Sequence, residues 1–212
     1  MPKRSRDTIV IAVPKGRVLE QLSGRLEEAG ICTHALTARS RKLVREDKES
    51  GLSYLLLKPD DVPTYVEYGA ADLGIVGRDV LMERDYDVFA PVDLDIGKCE
   101  MMVCGRPKEP ISGKGERPLR VATKFPHIAE RYFRAKGTPV ELIFCQGSVE
   151  LAPLTGLADV IVDLVETGET LRQNGLVPLE KIADVSSVVI ANRAALKLRR
   201  EAIETILDAL RG

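Results

Sequence analysis

The chain has no tryptophan, and aromatic residues make up only 4% of its 212 residues. Proteins that bind single-stranded nucleic acids without sequence preference stack the bases on aromatic side chains. The formal net charge is −1, from 31 basic and 32 acidic residues, so the chain as a whole does not attract polyanions. This composition argues against nucleic acid as a partner, and any anionic ligand must be bound by local groups.

Cysteine and histidine are scarce and poorly spaced for a metal centre. The four cysteines include no C-x-x-C pair, and the two histidines lie far from any pair of cysteines. A disulfide framework is typical of much shorter secreted chains. We therefore expect no zinc site and reduced thiols.

Long apolar runs are also missing. No stretch approaches the roughly 20 apolar residues that a membrane-spanning helix needs. The amino-terminal MPKRSRDTIVIAV is basic, but its apolar run is too short for a signal peptide and continues into a strand pattern. These absences predict no membrane association and a cytoplasmic location.

Short apolar runs alternate with helical patterns along the chain. Strand patterns occur at residues 8–13, 52–57, 72–77, 119–124, 139–145, 159–165 and 186–195. Alternating strands and helices favour parallel sheets covered by helices on both faces. The pattern therefore predicts an α/β protein.

Basic or hydroxyl-bearing residues lie at or near the ends of several predicted strands. In open α/β sheets, ligands bind beyond the carboxyl ends of the strands. The residues concerned are Lys15, Arg17, Arg41, Lys98, Thr123 and Lys124. Together they predict a cleft for a ligand with several negative charges.

The most informative stretch is 159-DVIVDLVETGETLRQNGL-176, in which a buried strand gives way abruptly to Glu-Thr-Gly-Glu-Thr. Gly168 would allow the backbone to approach a phosphate, and the threonine hydroxyls would add donors. The neighbouring acids fit the hydroxyls of a sugar, so a ribose 5-phosphate would satisfy both. The alternative, to which local sequence gives about equal weight, is that Thr167 or Thr170 is an ordinary helix N-cap.

No Ser/His/Asp or Cys/His arrangement is evident, and neither G-x-x-x-x-G-K-[ST] nor G-x-G-x-x-G occurs. Taken together, the remaining motifs resemble the short form of the ATP phosphoribosyltransferase family. The likeness runs from about residue 8 to the final helix. The segments that carry it are IAVPKGR, KPDDVPTYVEYGAADLGIVGRD, DLDIGKCEMMVCG, ATKFPHIAERYF and GSVELAPLTGLADVIVDLVETGETLRQNGL.

The resemblance implies a two-lobed fold like that of type II periplasmic binding proteins, each lobe a mixed sheet flanked by helices. The first lobe would comprise residues 1–93 with 179–212, and the second, residues 94–178, would be inserted and carry the substrate loop. The active cleft is expected between the lobes.

The resemblance also implies roles for individual residues. The loop that binds 5-phosphoribosyl-1-pyrophosphate (PRPP) would comprise Asp163, Leu164, Val165, Glu166, Thr167, Gly168, Glu169, Thr170 and Leu171. Glu150 and Asp163 would lie near the ribose or its Mg²⁺. Lys15, Arg17 and Lys58 would be catalytic, with Lys58 where many relatives carry arginine. Arg41, Lys98, Thr123 and Lys124 would bind ATP or phosphate.

The implied reaction is transfer of the 5-phosphoribosyl group of PRPP to N1 of the adenine of ATP, with release of pyrophosphate, in the first step of histidine biosynthesis. Mg²⁺ would accompany the substrates. The family's short form implies a homodimer and a regulatory subunit similar to the catalytic core of histidyl-tRNA synthetase, in a hetero-oligomer such as a hetero-octamer.

Two other functions fit parts of the pattern. A two-lobed small-anion-binding protein would share the fold, although the missing signal peptide weighs against it. A type I phosphoribosyltransferase also ends its PRPP loop in Thr-Gly-x-Thr, but such loops typically carry two adjacent acids, and here Asp163 is followed by Leu164.

Overall fold

The computed structural model describes residues 8–31, 33–108, 111 and 117–211. The strands are β1 Ile9–Pro14, β2 Val44–Asp47, β3 Leu52–Leu57, β4 Leu73–Gly77, β5 Phe89–Asp93, β6 Cys99–Gly105, β7 Leu119–Thr123, β8 Val140–Phe144, β9 Val160–Val165, β10 Val177–Val185 and β11 Ser187–Ala191. The helices are α1 Arg17–Glu28, α2 His34–Thr37, α3 Val62–Glu67, α4 Arg78–Glu83, α5 Pro126–Ala135, α6 Leu151–Thr155, α7 Glu169–Gln173, α8 Arg193–Leu198 and α9 Arg200–Arg211.

The chain divides into two units. The first contains the residues up to 81, 85–97 and those from 186 onward, and the second contains 82–84 and 98–185. In the structure the two boundaries lie after residues 97 and 185, a few residues later than the boundaries expected after residues 93 and 178. At the second boundary the cause is β10, which pairs with β6 along its length and so keeps residues 177–185 in the second unit.

The first unit is built on a six-stranded mixed sheet of order β2-β3-β1-β4-β11-β5. Its centre is parallel, because β1 pairs in parallel with both β3 and β4, while β2, β11 and β5 run antiparallel to their neighbours. One face packs against α1 and α9 through residues such as Leu22, Leu26 and Leu207, and the other packs against α3 through Val62 and Val66.

The second unit is built on a five-stranded mixed sheet of order β10-β6-β9-β7-β8. Strands β8, β7 and β9 are parallel, and β6 and β10 are antiparallel. Helix α5 covers one face with Ile128, Ala129 and Phe133, while α6 and α7 cover the other with Ala152 and Leu171. Both faces of each sheet are thus buried, which confirms the predicted fold class.

Candidate functional site

The carboxyl ends of the three parallel strands of the second unit share one edge of its sheet. Thr123 at the end of β7 lies level with Phe144 of β8 and Val162 of β9. The amide of Cys145 donates a 3.0 Å hydrogen bond to the carbonyl of Thr123, which ties the two strand ends together. The segments that follow these strands therefore lie side by side where ligands of open α/β sheets bind.

The turn after β9 consists of Glu166, Thr167 and Gly168, and it leads directly into α7. Gly168 occupies the N-cap position in a left-handed conformation, with φ 69°, and no side chain caps the helix. The amide of Glu169 approaches Oγ1 of Thr167 only at 3.4 Å, which is long for an N–H···O bond. The alternative prediction that a threonine is the N-cap is therefore wrong.

Within the predicted PRPP loop, the side chains divide by burial. Leu171 is buried, and Leu164 and Val165 pack against the cores on the two faces of the sheet. The buried side chain of Leu171 is therefore unavailable to a ligand.

The outer side chains of the loop are the polar ones. Glu166, Thr167, Glu169 and Thr170 are exposed. The carboxylate of Glu169 pairs with Arg172 and accepts a 2.7 Å bond from Gln173, so it lies along α7. The two threonines are therefore the exposed hydroxyl donors of this loop.

Two carboxylates of the predicted site, Asp163 and Glu150, affect the pKa of the same cysteine, Cys104. Burial, together with the nearby charges of Asp163 and Glu150, raises the pKa of the Cys104 thiol to about 12. Asp163 lies near the end of β9, where its Oδ1 accepts a 2.8 Å bond from the amide of Leu164, and Glu150 is the N-cap of α6. The structure thus places both acids near Cys104, although they are 13 positions apart in the sequence.

Lys98 directly precedes β6, which pairs with β9. Strand β6 runs antiparallel to β9, with Glu100 level with Val165. Lys98 comes two residues before Glu100, and its side chain is exposed.

Thr123 and Lys124 differ in what they offer a ligand. Thr123 is fully buried; its hydroxyl donates a 2.7 Å bond to the carbonyl of Val162 and accepts a 2.8 Å bond from the amide of Phe125. This hydroxyl joins β7 to β9, and the structure does not support the predicted contact with a phosphate. Lys124 is partly exposed, with Nζ 5.6 Å from the centre of the Phe125 ring.

The first unit gathers its predicted cations at the carboxyl edge of its own parallel strands. The amide of Lys15 donates a 3.0 Å bond to the carbonyl of Leu57, so Lys15 lies next to Lys58 at the ends of β1 and β3. The amide of Leu56 donates a 2.8 Å bond to the carbonyl of Leu43, which brings the segment containing Arg41 to this edge. Lys15, Arg41 and Lys58 are exposed.

Arg17 is the first residue of α1, after Gly16, whose φ of 103° marks the turn out of β1. The side chain of Arg17 lies outside what the structure describes. Its predicted role rests on its position in the chain.

Sequence reasoning missed the strained turn before α6. Ser148 has the positive φ of 49°, an uncommon conformation for a residue with a side chain, and such strain clusters at functional sites. Ser148 reads as an N-cap from the sequence, but α6 begins at Leu151 with Glu150 as its N-cap. A left-handed serine has no sequence signal distinct from that of an N-cap serine.

Hydrogen bonds to Glu83 explain the position of His127. The carboxylate of Glu83 accepts hydrogen bonds of 3.0 Å from the amides of His127 and Ile128 and so caps the start of α5. The exposed imidazole lies beside Glu83, at the beginning of that helix. His127 therefore has a structural position at the start of this helix.

Within the described ranges, no helix has the length and apolar character needed to cross a bilayer. No cluster of three or more histidine, cysteine or acidic side chains suited to a metal occurs in the same ranges. A metal at this site would therefore have at most two protein carboxylates as neighbours.

Comparison with known proteins identifies the family. The family model described as "HisG: ATP phosphoribosyltransferase" matches residues 58–212. The ATP phosphoribosyltransferase of Geobacter metallireducens is 48% identical over 209 residues, covering 96% of this chain and 97% of that protein.

Solved structures agree with this match. The ATP phosphoribosyl transferase (HisG:HisZ) complex from Thermotoga maritima contains a chain with a TM-score of 0.81 and 35% identity, covering 96% of both chains. The periplasmic aliphatic sulphonate binding protein SsuA from Escherichia coli has a TM-score of 0.61 at 14% identity, covering 97% of this chain and 72% of its own, which shows that the fold is of the periplasmic-binding-protein type. The length of the chain fits the short form, and the chain belongs to the ATP phosphoribosyltransferase family.

Proposed function

We propose that this chain transfers the 5-phosphoribosyl group of PRPP to N1 of the adenine of ATP and releases pyrophosphate. The chain is then a glycosyltransferase that catalyses the first step of histidine biosynthesis. Family membership carries this proposal, together with one structural observation: the turn Glu166–Gly168, which follows β9, leads into α7 with Gly168 in a left-handed conformation and with no side chain capping the helix. A small-anion-binding protein or a type I phosphoribosyltransferase would not account for the family match.

The turn offers the groups that a sugar phosphate needs. Left-handed Gly168 exposes main-chain amides, and the hydroxyls of Thr167 and Thr170 add donors. Helix α7 has only five residues, so its dipole contributes little, and local N–H and O–H donors must supply most of the attraction. Lys98 adds a positive charge, while Glu150 and Asp163 accept hydrogen bonds from ribose hydroxyls.

The first unit supplies cations for the other phosphates. We assign Lys15 and Lys58, at the adjacent ends of β1 and β3, to the pyrophosphate or to the phosphates of ATP. Arg41 and Arg17 are assigned to the same anions by their positions in the chain, and Lys124 is assigned likewise in the second unit.

The reaction needs charge stabilisation more than a nucleophilic side chain. Cleavage of the bond between C1 and the pyrophosphate leaves positive charge on the ribose and negative charge on the departing oxygens. Lysine and arginine donors that meet those oxygens favour the transition state, and one such preorganised donor is typically worth about 10²–10³ in rate. The attacking nitrogen belongs to ATP, so the protein has only to orient adenine and exclude water.

Mg²⁺ fits the residues at the site. It usually takes one or two protein carboxylates and completes its coordination with substrate phosphates and water. We assign Glu150 and Asp163, which both lie near Cys104, to hold it with PRPP. When bound, the metal would neutralise charge on the leaving pyrophosphate.

We also propose that the chain works with a regulatory partner. Its Thermotoga maritima neighbour was solved as a HisG:HisZ complex. A partner of the HisZ type, resembling the catalytic core of histidyl-tRNA synthetase, would supply the response to histidine. We place this assembly in the cytoplasm, as the sequence predicts.

The experiment that tests this function mixes the purified chain with ATP, PRPP and Mg²⁺ and follows phosphoribosyl-ATP by mass spectrometry. Parallel reactions include a HisZ-type partner. We expect product that depends on both substrates. A chain that binds PRPP and forms no product in either reaction would contradict the transferase and favour a binding protein.

A further inference from the structure

Thr123 connects the carboxyl ends of the three parallel strands of the second unit. It is the last residue of β7 and is fully buried. Its carbonyl accepts a 3.0 Å hydrogen bond from the amide of Cys145, which directly follows β8. Its hydroxyl donates a 2.7 Å bond to the carbonyl of Val162 in β9. One residue therefore holds all three strand ends at the edge where ligands of open α/β sheets bind.

The same hydroxyl fixes the segment that follows β7. It accepts a 2.8 Å bond from the amide of Phe125, so the chain is held on both sides of Lys124. The ring of Phe125 is only 3% exposed and packs in the core beneath α5. Because Nζ of Lys124 lies 5.6 Å from the centre of that ring, the position of this cation depends on the position of Phe125.

The amino end of α5 is already occupied by groups of the protein. The amides of His127 and Ile128 donate 3.0 Å bonds to the carboxylate of Glu83. The amide of Phe125, just before the helix, donates to the threonine hydroxyl. These amides are therefore not available to an anion, and the side chain of Lys124 is the positive group of this segment.

On β9, the hydroxyl bonds to the peptide group that leads into Asp163. The carbonyl of Val162 and the amide of Asp163 belong to one planar peptide unit, so a bond to the carbonyl fixes the orientation of that unit. The carboxylate of Asp163 accepts a 2.8 Å bond from the amide of Leu164, which orients the side chain against the same main chain. The acid assigned to the ribose and Mg²⁺ thus follows directly from an atom that Thr123 holds.

We propose that Thr123 is a positioning residue for the transferase reaction, whose buried hydroxyl holds Asp163 of β9 and Lys124 of the following segment in a fixed relation to one PRPP molecule. The proposal rests on the proposed function. Thr123 does not meet the substrate itself, because it is fully buried. Functional groups must be held within about 0.5 Å of their productive geometry by such supporting bonds. A displacement of about 1 Å can lower a rate about 10²-fold.

Two substitutions of Thr123 separate the hydroxyl from the rest of the side chain. Thr123→Val keeps the branched shape but leaves the bonded carbonyl and amide without this partner, and buried polar groups shift to recover one. Thr123→Ser keeps the hydroxyl and removes only a methyl group. Thr33→Val is the matched control: Thr33 is 1% exposed in the first unit, and its hydroxyl donates to Glu27.

Steady-state kinetics with varied PRPP and varied Mg²⁺ measure the effect. We expect Thr123→Val to lower kcat/KM for PRPP at least about tenfold. It should also raise the Mg²⁺ concentration needed for half-maximal rate, because Asp163 is assigned to the metal. Thr123→Ser should retain most of the wild-type kcat/KM, and Thr33→Val should leave both quantities unchanged.

Three results would contradict this role. Wild-type kinetics and Mg²⁺ dependence in Thr123→Val would overturn the proposal outright. Equal losses in Thr123→Val and Thr123→Ser would assign the effect to the methyl group and its packing. Equal losses in Thr123→Val and Thr33→Val would assign it to a general loss of stability.

Calorimetric titration with PRPP and Mg²⁺ distinguishes a failure of this proposal from a failure of the proposed function. A wild-type chain that binds PRPP and forms no product contradicts the transferase, and the PRPP affinities of Thr123→Val and Thr123→Ser still decide the role of the hydroxyl. Wild-type turnover with equal PRPP affinity in the two variants refutes the positioning role alone.

Circular dichroism checks that the variants fold, and hydrogen exchange of the wild-type chain decides the matter if Thr123→Val does not. We expect the amide of Phe125 to be protected equally with and without PRPP and Mg²⁺, because the hydroxyl holds it before the ligand binds. Protection that develops only when PRPP is present would show that the ligand, and not Thr123, orders this edge.

Discussion

The conformation of Gly168 allows a direct test of the substrate turn. Its φ of 69° lies in the left-handed region, and a Cβ added there would meet only Cγ1 of Val165, at 3.8 Å. Gly168→Ala therefore introduces no clash, and its cost is the left-handed backbone itself, about 1 kcal/mol for an L-residue. That energy equals about a fivefold change in an equilibrium constant.

Gly156 is a matched control in the same unit. It has φ 75° at the C-cap of α6, with no atom within 4 Å of an added Cβ, and it precedes β9 whereas Gly168 follows it. Gly156→Ala should lower the free energy of unfolding by the same amount, about 1 kcal/mol. It should leave PRPP binding unchanged, because it lies at the opposite end of the strand from the proposed site.

The two variants separate stability from ligand binding. Urea unfolding measures the first quantity, and calorimetric titration with PRPP and Mg²⁺ measures the second. We expect similar losses of stability, with the dissociation constant for PRPP raised at least fivefold in Gly168→Ala alone. Equal PRPP affinity in the two variants, with the stability losses as expected, would show that the turn does not bind the sugar phosphate.

The remaining predictions concern the cations, a structural carboxylate and regulation. Lys15→Ala should lower kcat about 10²-fold with the melting temperature unchanged, whereas Lys48→Ala, an exposed lysine in the turn between β2 and β3, should be neutral; equal kinetics would remove Lys15 from the site. The Arg117 hydrogen bonds lower the pKa of Asp159 from 3.8 to about 2, so its stabilisation is complete above the unfolded pKa and is lost as the pH falls through about 2. Asp159→Asn should cost about 2 kcal/mol of unfolding free energy at neutral pH and progressively less in acid, and a difference independent of pH would contradict this. Histidine should inhibit the chain alone only weakly, and strong inhibition in a steady-state assay without a partner would oppose a separate regulatory subunit.

Much of the architecture was predictable because buried strands are indicated by short apolar runs in the local sequence. The runs at 8–13, 52–57, 119–124 and 159–165 are short segments rich in apolar residues, and they became β1, β3, β7 and β9. Strands buried on both faces need such runs, whatever their neighbours are. The half-exposed β10, with the sequence VPLEKIADV, has no such run, and its place in the second sheet comes from pairing with β6.

For the candidate site, residue types and spacing were sufficient to select the stretch 163–171, the basic residues after the strands and the family. They could not distinguish the buried hydroxyl of Thr123 from the exposed hydroxyls of Thr167 and Thr170, since exposure depends on which strands become neighbours. The register of β6 against β9 could not be predicted either, because it depends on the same long-range pairing.

By itself, the sequence determined the order of elements, the α/β class and the chemistry available at the strand ends, because these depend on residues close together in the chain. Only the tertiary structure decided which of those groups reach solvent, that Glu150 and Asp163 both lie near Cys104, and that β8 is an edge of its sheet. These properties arise from pairing between distant segments, and local sequence patterns do not identify the segment with which a strand pairs.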